Sequence, residues 1–76
     1  MSLGIDWTYS ALAALTRIHW RTASDVDGAV QRFARSRALR LPSGRYHVRA
    51  QGYEIRVQVN HAIGTVLVLY FYQIPG

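Results

Sequence analysis

Two runs of strict alternation between apolar and polar residues constrain the fold of this 76-residue chain more than any other feature. The first run is Arg45–Ala50 and the second is Tyr53–Asn60, with Gly52 between them. A period of two residues is typical of a β-strand that buries one face. Because the glycine marks a turn, the two runs predict a β-hairpin with one apolar face and one polar, strongly basic face.

A third strand is predicted after the loop at Asn60–Gly64. Residues Thr65–Tyr72 are apolar on both faces and rich in β-branched and aromatic side chains. A strand of this kind needs cover on both sides, which predicts a central or closely covered position. The three strands together form an antiparallel meander.

The N-terminal half predicts a short strand followed by a first helix. Residues 5–8 alternate between apolar and polar, as a strand does. Ser10 is the expected N-cap of a helix over about residues 11–20. Its apolar stripe, at spacings of three and four, consists of Leu12, Leu15, Ile18 and His19.

A second helix is predicted after a break at residues 21–23. Ser24 followed by Asp27 matches a capping box, and the helix should end near Ser36 or Arg37. Its apolar face consists of Val26, Ala29, Val30, Phe33 and Ala34. Strand, two-helix hairpin and meander in this order predict an α+β fold, with the helices packed on one face of a three- to four-stranded antiparallel sheet. The length suits a single domain over residues 1–76.

The charge of the chain points to an anionic partner. All nine basic residues are arginine, and the formal net charge is +5. A guanidinium offers a planar fork of donors that suits phosphate and carboxylate. A GC-rich genome that favours arginine codons explains the same bias, and both explanations stay open.

Several other chemistries are disfavoured by the composition. Without cysteine, disulfides, Cys-ligated zinc and thiol nucleophiles are excluded. The three histidines are scattered, the four acidic residues are too few for a two-metal centre, and the glycines form no phosphate loop. We therefore expect neither a metal nor a cofactor. No apolar run approaches the roughly 20 residues of a membrane span and no signal peptide is evident, so we expect a cytoplasmic protein without a membrane partner.

The polar face of the predicted hairpin is the candidate binding site. It consists of Arg45, His47, Arg49, Glu54, Arg56 and Gln58. Such a patch suits a phosphodiester, with Tyr70 or Tyr72 available to stack on a base. The competing interpretation is a solvated sheet face on which arginine only provides solubility.

His47 is the candidate for proton transfer in this patch. Histidine is the side chain that exchanges a proton near neutral pH, so it suits removal of a proton from a ribose 2′-hydroxyl. A histidine that is merely exposed on a strand is the alternative. His61 is expected only to fill a turn.

The order of elements and the sequence of the C-terminal half resemble those of a known family. The relevant segments are Leu41–Val59, which contains the Gly52-Tyr53 pair, and Thr65–Leu69. They are similar to the pattern YxxR…GYRxxY…V…TVxVLxV of the RelE/ParE superfamily of bacterial toxin–antitoxin modules. The resemblance covers most of the chain and implies a small basic toxin that a cognate antitoxin neutralises.

The resemblance also implies two kinds of target. RelE-like members cut mRNA in the ribosomal A site without a metal, whereas ParE-like members poison DNA gyrase. Positions of phosphate-binding family residues on the first meander strand are matched by Arg45, His47 and Arg49. The family arginine after Gly-Tyr is replaced by Glu54, with Arg56 two residues further along, and Tyr72 is the candidate at the last strand.

These comparisons lead to one expected function and two alternatives. We expect a ribosome-dependent mRNA endoribonuclease with catalytic residues His47, Glu54, Arg56 and Tyr72 and phosphate-binding residues Arg45, Arg49 and Arg56. The alternatives are a non-enzymatic inhibitor of DNA gyrase and a decayed member that only binds its antitoxin.

Overall fold

The strands form a single mixed sheet in the computed structural model, which describes residues 2–75. In chain order the elements are β1 (Gly4–Trp7), α1 (Tyr9–Leu15), α2 (Trp20–Arg35), α3 (Arg37–Arg40), β2 (Gly44–Ala50), β3 (Tyr53–Asn60) and β4 (Thr65–Gln73). The sheet order is β1-β4-β3-β2. None of the helices within residues 2–75 is long and apolar enough to cross a membrane.

The predicted α+β class and the antiparallel meander are confirmed, with one difference in the sheet. Strands β2, β3 and β4 pair antiparallel, but β1 pairs parallel with β4. In the chain, the helices and the β2–β3 hairpin lie between β1 and β4. In the sheet, β1 nevertheless pairs with the side of β4 that β3 leaves free. With a strand on each side, β4 is central, as its two-sided apolarity predicts.

The core lies between α2 and the inner face of the sheet. All five residues of the predicted apolar face of α2 are buried. They meet fully buried aliphatic side chains from β3 and β4, namely Ile55, Val57, Val59, Val66 and Val68. Each such side chain contributes about 1.5–3 kcal/mol relative to an exposed one, so this layer holds the helices on the sheet.

The first helix begins before its predicted cap. Thr8, not Ser10, is the N-cap, and its hydroxyl accepts a hydrogen bond of 3.1 Å from the backbone N–H of Ala11. The helix ends at Leu15 rather than near residue 20, and Leu12 is half exposed instead of packing in the core. Ala11 is the residue of α1 that is fully buried.

The second helix also begins earlier than its capping box suggested. It starts at Trp20 and is capped by His19, whose Nδ1 accepts a 3.2 Å hydrogen bond from Arg21 N–H. Ser24 therefore lies inside the helix, because no glycine or proline interrupts residues 20–24. His19 is exposed and does not join an apolar stripe. The end at Arg35 agrees with the prediction, while the single turn of α3 was not predicted.

Candidate anion-binding face

The sheet surface that faces away from the helices, here called the outer face, carries the predicted site residues. Across β2 and β3, His47 is paired with Arg56 and Arg49 with Glu54. Across β3 and β4, Glu54 is paired with Tyr72, while Arg56 is paired with Tyr70. The register thus brings side chains from β2, β3 and β4 together on one surface.

An irregularity in β4 puts its tyrosines on this surface. Val57 pairs with Val68 but the preceding Arg56 pairs with Tyr70, which leaves Leu69 as an extra residue, a β-bulge. With Val68 facing the core, strict alternation would turn Tyr70 inward as well. The extra residue reverses the alternation, so Tyr70 and Tyr72 lie on the outer face.

The carboxylate of Glu54 lies at the centre of a polar cluster, although its side chain is only 11% exposed. The hydroxyl of Tyr72 donates a hydrogen bond to its Oε2. Arg56 Nη2 lies 3.4 Å from the same oxygen, and Arg49 Nε lies 3.7 Å from Oε1. We call these four residues the Glu54 cluster.

The surroundings of Glu54 hold it in its ionised form. The hydrogen bond from Tyr72 is the largest influence that lowers the pKa of Glu54, and the charges of Arg56, His47 and Arg49 lower it further, against the opposing effect of burial. The pKa of Arg56 is raised by Tyr72 and by the charge of Glu54. A carboxylate of lowered pKa is a weak proton acceptor, which makes Glu54 a poor general base at neutral pH.

The predicted site residues are thus divided between the Glu54 cluster and its surroundings. Arg49, Glu54, Arg56 and Tyr72 are in mutual contact through the carboxylate. Exposed His47 lies beside this cluster, opposite Arg56. Arg45 is opposite Gln58, further along the outer face, and within residues 2–75 it forms no ion pair. The three guanidiniums share a surface, but only two of them converge.

The exposed tyrosines form an aromatic surface next to the cluster. The ring centroids of Tyr70 and Tyr72 are 6.3 Å apart and the ring planes differ by 25°. Both rings are partly open to solvent, and Tyr70 is paired with Arg56 in the register. Stacked rings beside a guanidinium are suited to an unpaired base and its phosphate.

The Nε of Arg56 is buried, and within residues 2–75 it has no hydrogen-bond partner. No group of three His, Asp or Glu side chains suited to hold a metal ion occurs in the described range. The hydrogen-bond donors that an anion can reach on this surface are the exposed parts of the Arg49 and Arg56 side chains, with a histidine alongside.

Sequence reasoning missed the side-chain contacts of Thr8 and His61. The hydroxyl of Thr8 donates a 2.7 Å hydrogen bond to the carbonyl oxygen of Leu69, at the bulge. His61, expected to fill a turn, makes a 2.6 Å hydrogen bond from its ring Nε2 to the carbonyl oxygen of Leu41, and so connects the β3–β4 loop to the segment before β2. A threonine before a helix is a recognisable N-cap signal, but both contacts join distant parts of the chain.

Two solved structures are similar to this chain over nearly its whole length. One is the toxin–antitoxin complex RelBE2 from Mycobacterium tuberculosis, with a TM-score of 0.79, 18% identity, and coverage of 96% of this chain and 92% of that chain. The other is the archaeal RelE–RelB complex from Pyrococcus horikoshii OT3, with a TM-score of 0.78, 13% identity and coverage of 96% of both chains. The chain has the RelE-type fold.

The RelE-type fold agrees with the architecture that the sequence resemblance implied. By sequence comparison, no family model and no curated protein matches the chain. At identities of 18% and 13%, the structural similarity shows the fold alone. The function of this RelE-type chain must therefore be argued from its own side chains.

Proposed function

We propose that this chain is the toxin of a bacterial toxin–antitoxin module and that it cleaves mRNA on the ribosome. The observation that carries the proposal is the outer face, where guanidiniums, a histidine and two stacked tyrosines share one surface. The two similar structures are complexes of RelE with RelB or of the RelBE2 pair, which supports the assignment to such a module. The proposal requires that the protein acts in the cytoplasm, as one domain.

The proposed reaction is a transesterification within the RNA strand. His47 accepts the proton of a ribose 2′-hydroxyl, and the 2′ oxygen attacks the adjacent phosphorus. The bond between phosphorus and the 5′ oxygen breaks, and that oxygen takes a proton from water. The products are a 2′,3′-cyclic phosphate and a free 5′-hydroxyl.

The remaining residues bind and orient the RNA in this proposal. Arg49 and Arg56 face the scissile phosphate and stabilise the charge that develops on it. Arg45 binds a neighbouring phosphate along the strand. Tyr72 and Tyr70 stack against a base, and Glu54 orients Tyr72 by accepting its hydrogen bond.

Cleavage is tested with purified protein and ribosomes programmed with a defined mRNA. Primer extension should reveal cuts in the ribosomal A site, and His47→Gln should reduce the rate by about 10²–10⁴-fold, as loss of a general base does. His61→Gln is the matched control, since it replaces a histidine in the β3–β4 loop. Intact mRNA at high protein concentration removes the ribonuclease proposal.

The proposed partner is an antitoxin that contributes an extended segment. A cleft of about 270 Å³ lies between β1 and α2, with Leu3, Ile5 and Trp7 on one side and Arg35 on the other. Within the described residues, β1 pairs only with β4, so its second edge is open to another strand. An antitoxin segment that adds to this edge and continues over the basic outer face would gain backbone hydrogen bonds and charge pairing.

Inhibition of DNA gyrase is the second candidate function, and the helices favour it. Tyr9 and Trp20 are 89% and 68% exposed, and Leu12 is half exposed, so the helices present large apolar side chains to solvent. Such side chains anchor protein interfaces. A supercoiling assay with purified gyrase separates the two targets. A decayed toxin that only binds its antitoxin would be inactive in both assays and would cause no growth defect on induction.

A further inference from the structure

The strongest unexplained feature of the molecule is a carboxylate at the centre of its most basic surface. We infer that Glu54 is a built-in competitor of phosphate, which shares the charges of Arg49 and Arg56 and holds the affinity of the outer face for single-stranded RNA low. The inference rests on the proposed function, because it concerns RNA bound at that same face. The inference assigns to Glu54 the role of setting how tightly the outer face binds a phosphodiester.

The contacts of Arg49 and Arg56 with Glu54 are short enough for the carboxylate to neutralise part of the guanidinium charge. They are also long enough for a phosphate to replace the carboxylate as partner. The separations of 3.4 Å and 3.7 Å exceed the roughly 2.7–2.9 Å of a strong charge-assisted hydrogen bond. The Arg49 side chain is 72% exposed and is free to turn towards solvent. A phosphate is therefore able to take over either guanidinium without breaking a strong bond.

The carboxylate of Glu54 is less free to move away than the guanidinium of Arg49. Its side chain is nearly buried, and the hydroxyl of Tyr72 holds one of its oxygens. When a phosphate approaches the arginines, the carboxylate therefore remains below them as a fixed negative charge. The carboxylate and the bound phosphate are both negative and repel each other, most strongly where water is partly excluded.

Arg45 provides an internal standard for this effect. It lies on the same strand and outer face as Arg49, but within residues 2–75 no carboxylate is paired with it. Its full charge is available to phosphate, whereas that of Arg49 is partly neutralised. The two arginines should therefore contribute unequally to RNA binding.

The test measures binding of a short single-stranded oligonucleotide, 2′-O-methylated throughout so that it resists cleavage, by fluorescence anisotropy. Glu54→Gln should tighten binding by about three- to tenfold, since a charge of one unit is removed at contact distance. The matched control is Asp25→Asn, which removes the same charge from an exposed position on α2. Equal effects of the two variants, or weaker binding by Glu54→Gln, would overturn the inference.

Two further measurements keep the test decisive. In a protein that carries Arg49→Gln and Arg56→Gln, the gain from Glu54→Gln should become smaller, because the carboxylate no longer competes for these guanidiniums. In the unaltered background, where folding of the Glu54 variant is not at issue, Arg45→Gln should weaken binding more than Arg49→Gln. Equal losses from these two substitutions would contradict the inference.

The outcomes separate this inference from the proposed cleavage. If ribosome-bound mRNA stays intact but Glu54→Gln tightens oligonucleotide binding, the competitor role stands and the ribonuclease proposal fails. If mRNA is cut but Glu54→Gln leaves oligonucleotide binding unchanged, the ribonuclease proposal stands and the competitor role fails. If neither the natural chain nor the Glu54 variant binds the oligonucleotide, the inference is wrong.

Discussion

The hydroxyl of Thr8 donates a 2.7 Å hydrogen bond to the carbonyl oxygen of Leu69, 61 residues away along the chain. The same hydroxyl accepts a hydrogen bond of 3.1 Å from Ala11 N–H and caps α1. One side chain thus connects the start of the first helix to the bulge that turns Tyr70 and Tyr72 outwards. This connection predicts a larger effect of Thr8 on stability than its place before a short helix suggests.

Thr8→Val should lower the free energy of unfolding by about 1–2 kcal/mol, because it removes both a cap and a long-range hydrogen bond. Urea denaturation followed by circular dichroism measures the change. Thr8→Ser, which keeps the hydroxyl, should recover most of the loss. Thr16→Val is the control, since the Thr16 hydroxyl bonds to the nearby, exposed carbonyl oxygen of Ala13. Equal losses for Thr8→Val and Thr16→Val would show that neither the cap nor the contact with Leu69 adds to stability.

The turn between β2 and β3 offers a second test of stability. Gln51 and Gly52 both have positive φ, of 49° and 79°, and this left-handed conformation is costly for glutamine. Gln51→Gly should therefore stabilise the protein by about 0.5–1 kcal/mol, as replacements that fit the backbone of a tight hairpin turn do. Gly52→Ala should act in the opposite direction by about 1 kcal/mol, although nothing crowds the site of the added methyl group. Thermal unfolding that shows a loss for Gln51→Gly would contradict this account of the turn.

The environment of Glu54 predicts a dependence of stability on acid. Its pKa lies below the ordinary value, because of the hydrogen bond from Tyr72 and the neighbouring positive charges. The resulting stabilisation is complete above about pH 5, where the unfolded carboxyl group is ionised, and is lost as the pH falls through the lowered folded pKa. The difference in unfolding free energy between the natural chain and Glu54→Gln should therefore be constant at neutral pH and change only in acid.

Urea denaturation over a pH series measures this difference. Tyr72→Phe is the informative companion, because it removes the largest influence on the pKa of Glu54 while keeping the ring. The acid-dependent change should then become smaller. A difference between the natural chain and Glu54→Gln that stays the same down to the lowest pH would show that the carboxylate is not held ionised by the fold.

Salt dependence tests whether the outer face binds RNA through phosphate contacts. Each contact with a single strand contributes about 0.7 to the slope of log K against log salt concentration, so Arg45→Gln should reduce the slope by about this amount. Arg32→Gln, on the exposed side of α2, is the control and should leave the slope unchanged. Equal slopes for the natural chain and Arg45→Gln would show that Arg45 does not contact the nucleic acid backbone.

Much of the fold follows from the sequence because alternation specifies both a strand and its buried face. The β2–β3 hairpin and the buried face of α2 were predictable in this way. The helix starts were less certain, because Ser10 offers the same kind of cap signal as Thr8 and because His19 is an unusual cap beside the more conventional Ser24. The partner of β1 was equally hidden, since a parallel pairing between chain ends leaves no local signal.

The candidate site was predictable only as a set of residues on one face. Alternation placed His47, Arg49, Glu54 and Arg56 together, and the pairing of β2 with β3 agrees with it. The burial of Glu54 and its bond to Tyr72 depend on the register between β3 and β4. That register includes one extra residue at Leu69, and in a strand that is apolar on both faces no pattern marks such an insertion.

The insertion at Leu69 divides the last strand into two lengths with separate roles. Before it, valines are committed to the hydrophobic layer beneath the helices; after it, the aromatic residues at positions 70 and 72 lie on the outer face and are about half exposed. Under the proposed function, substitutions at position 70 should alter ligand preference while the interior stays intact, whereas those at position 72 also remove the hydrogen bond to Glu54. Directed diversification of this chain should begin there.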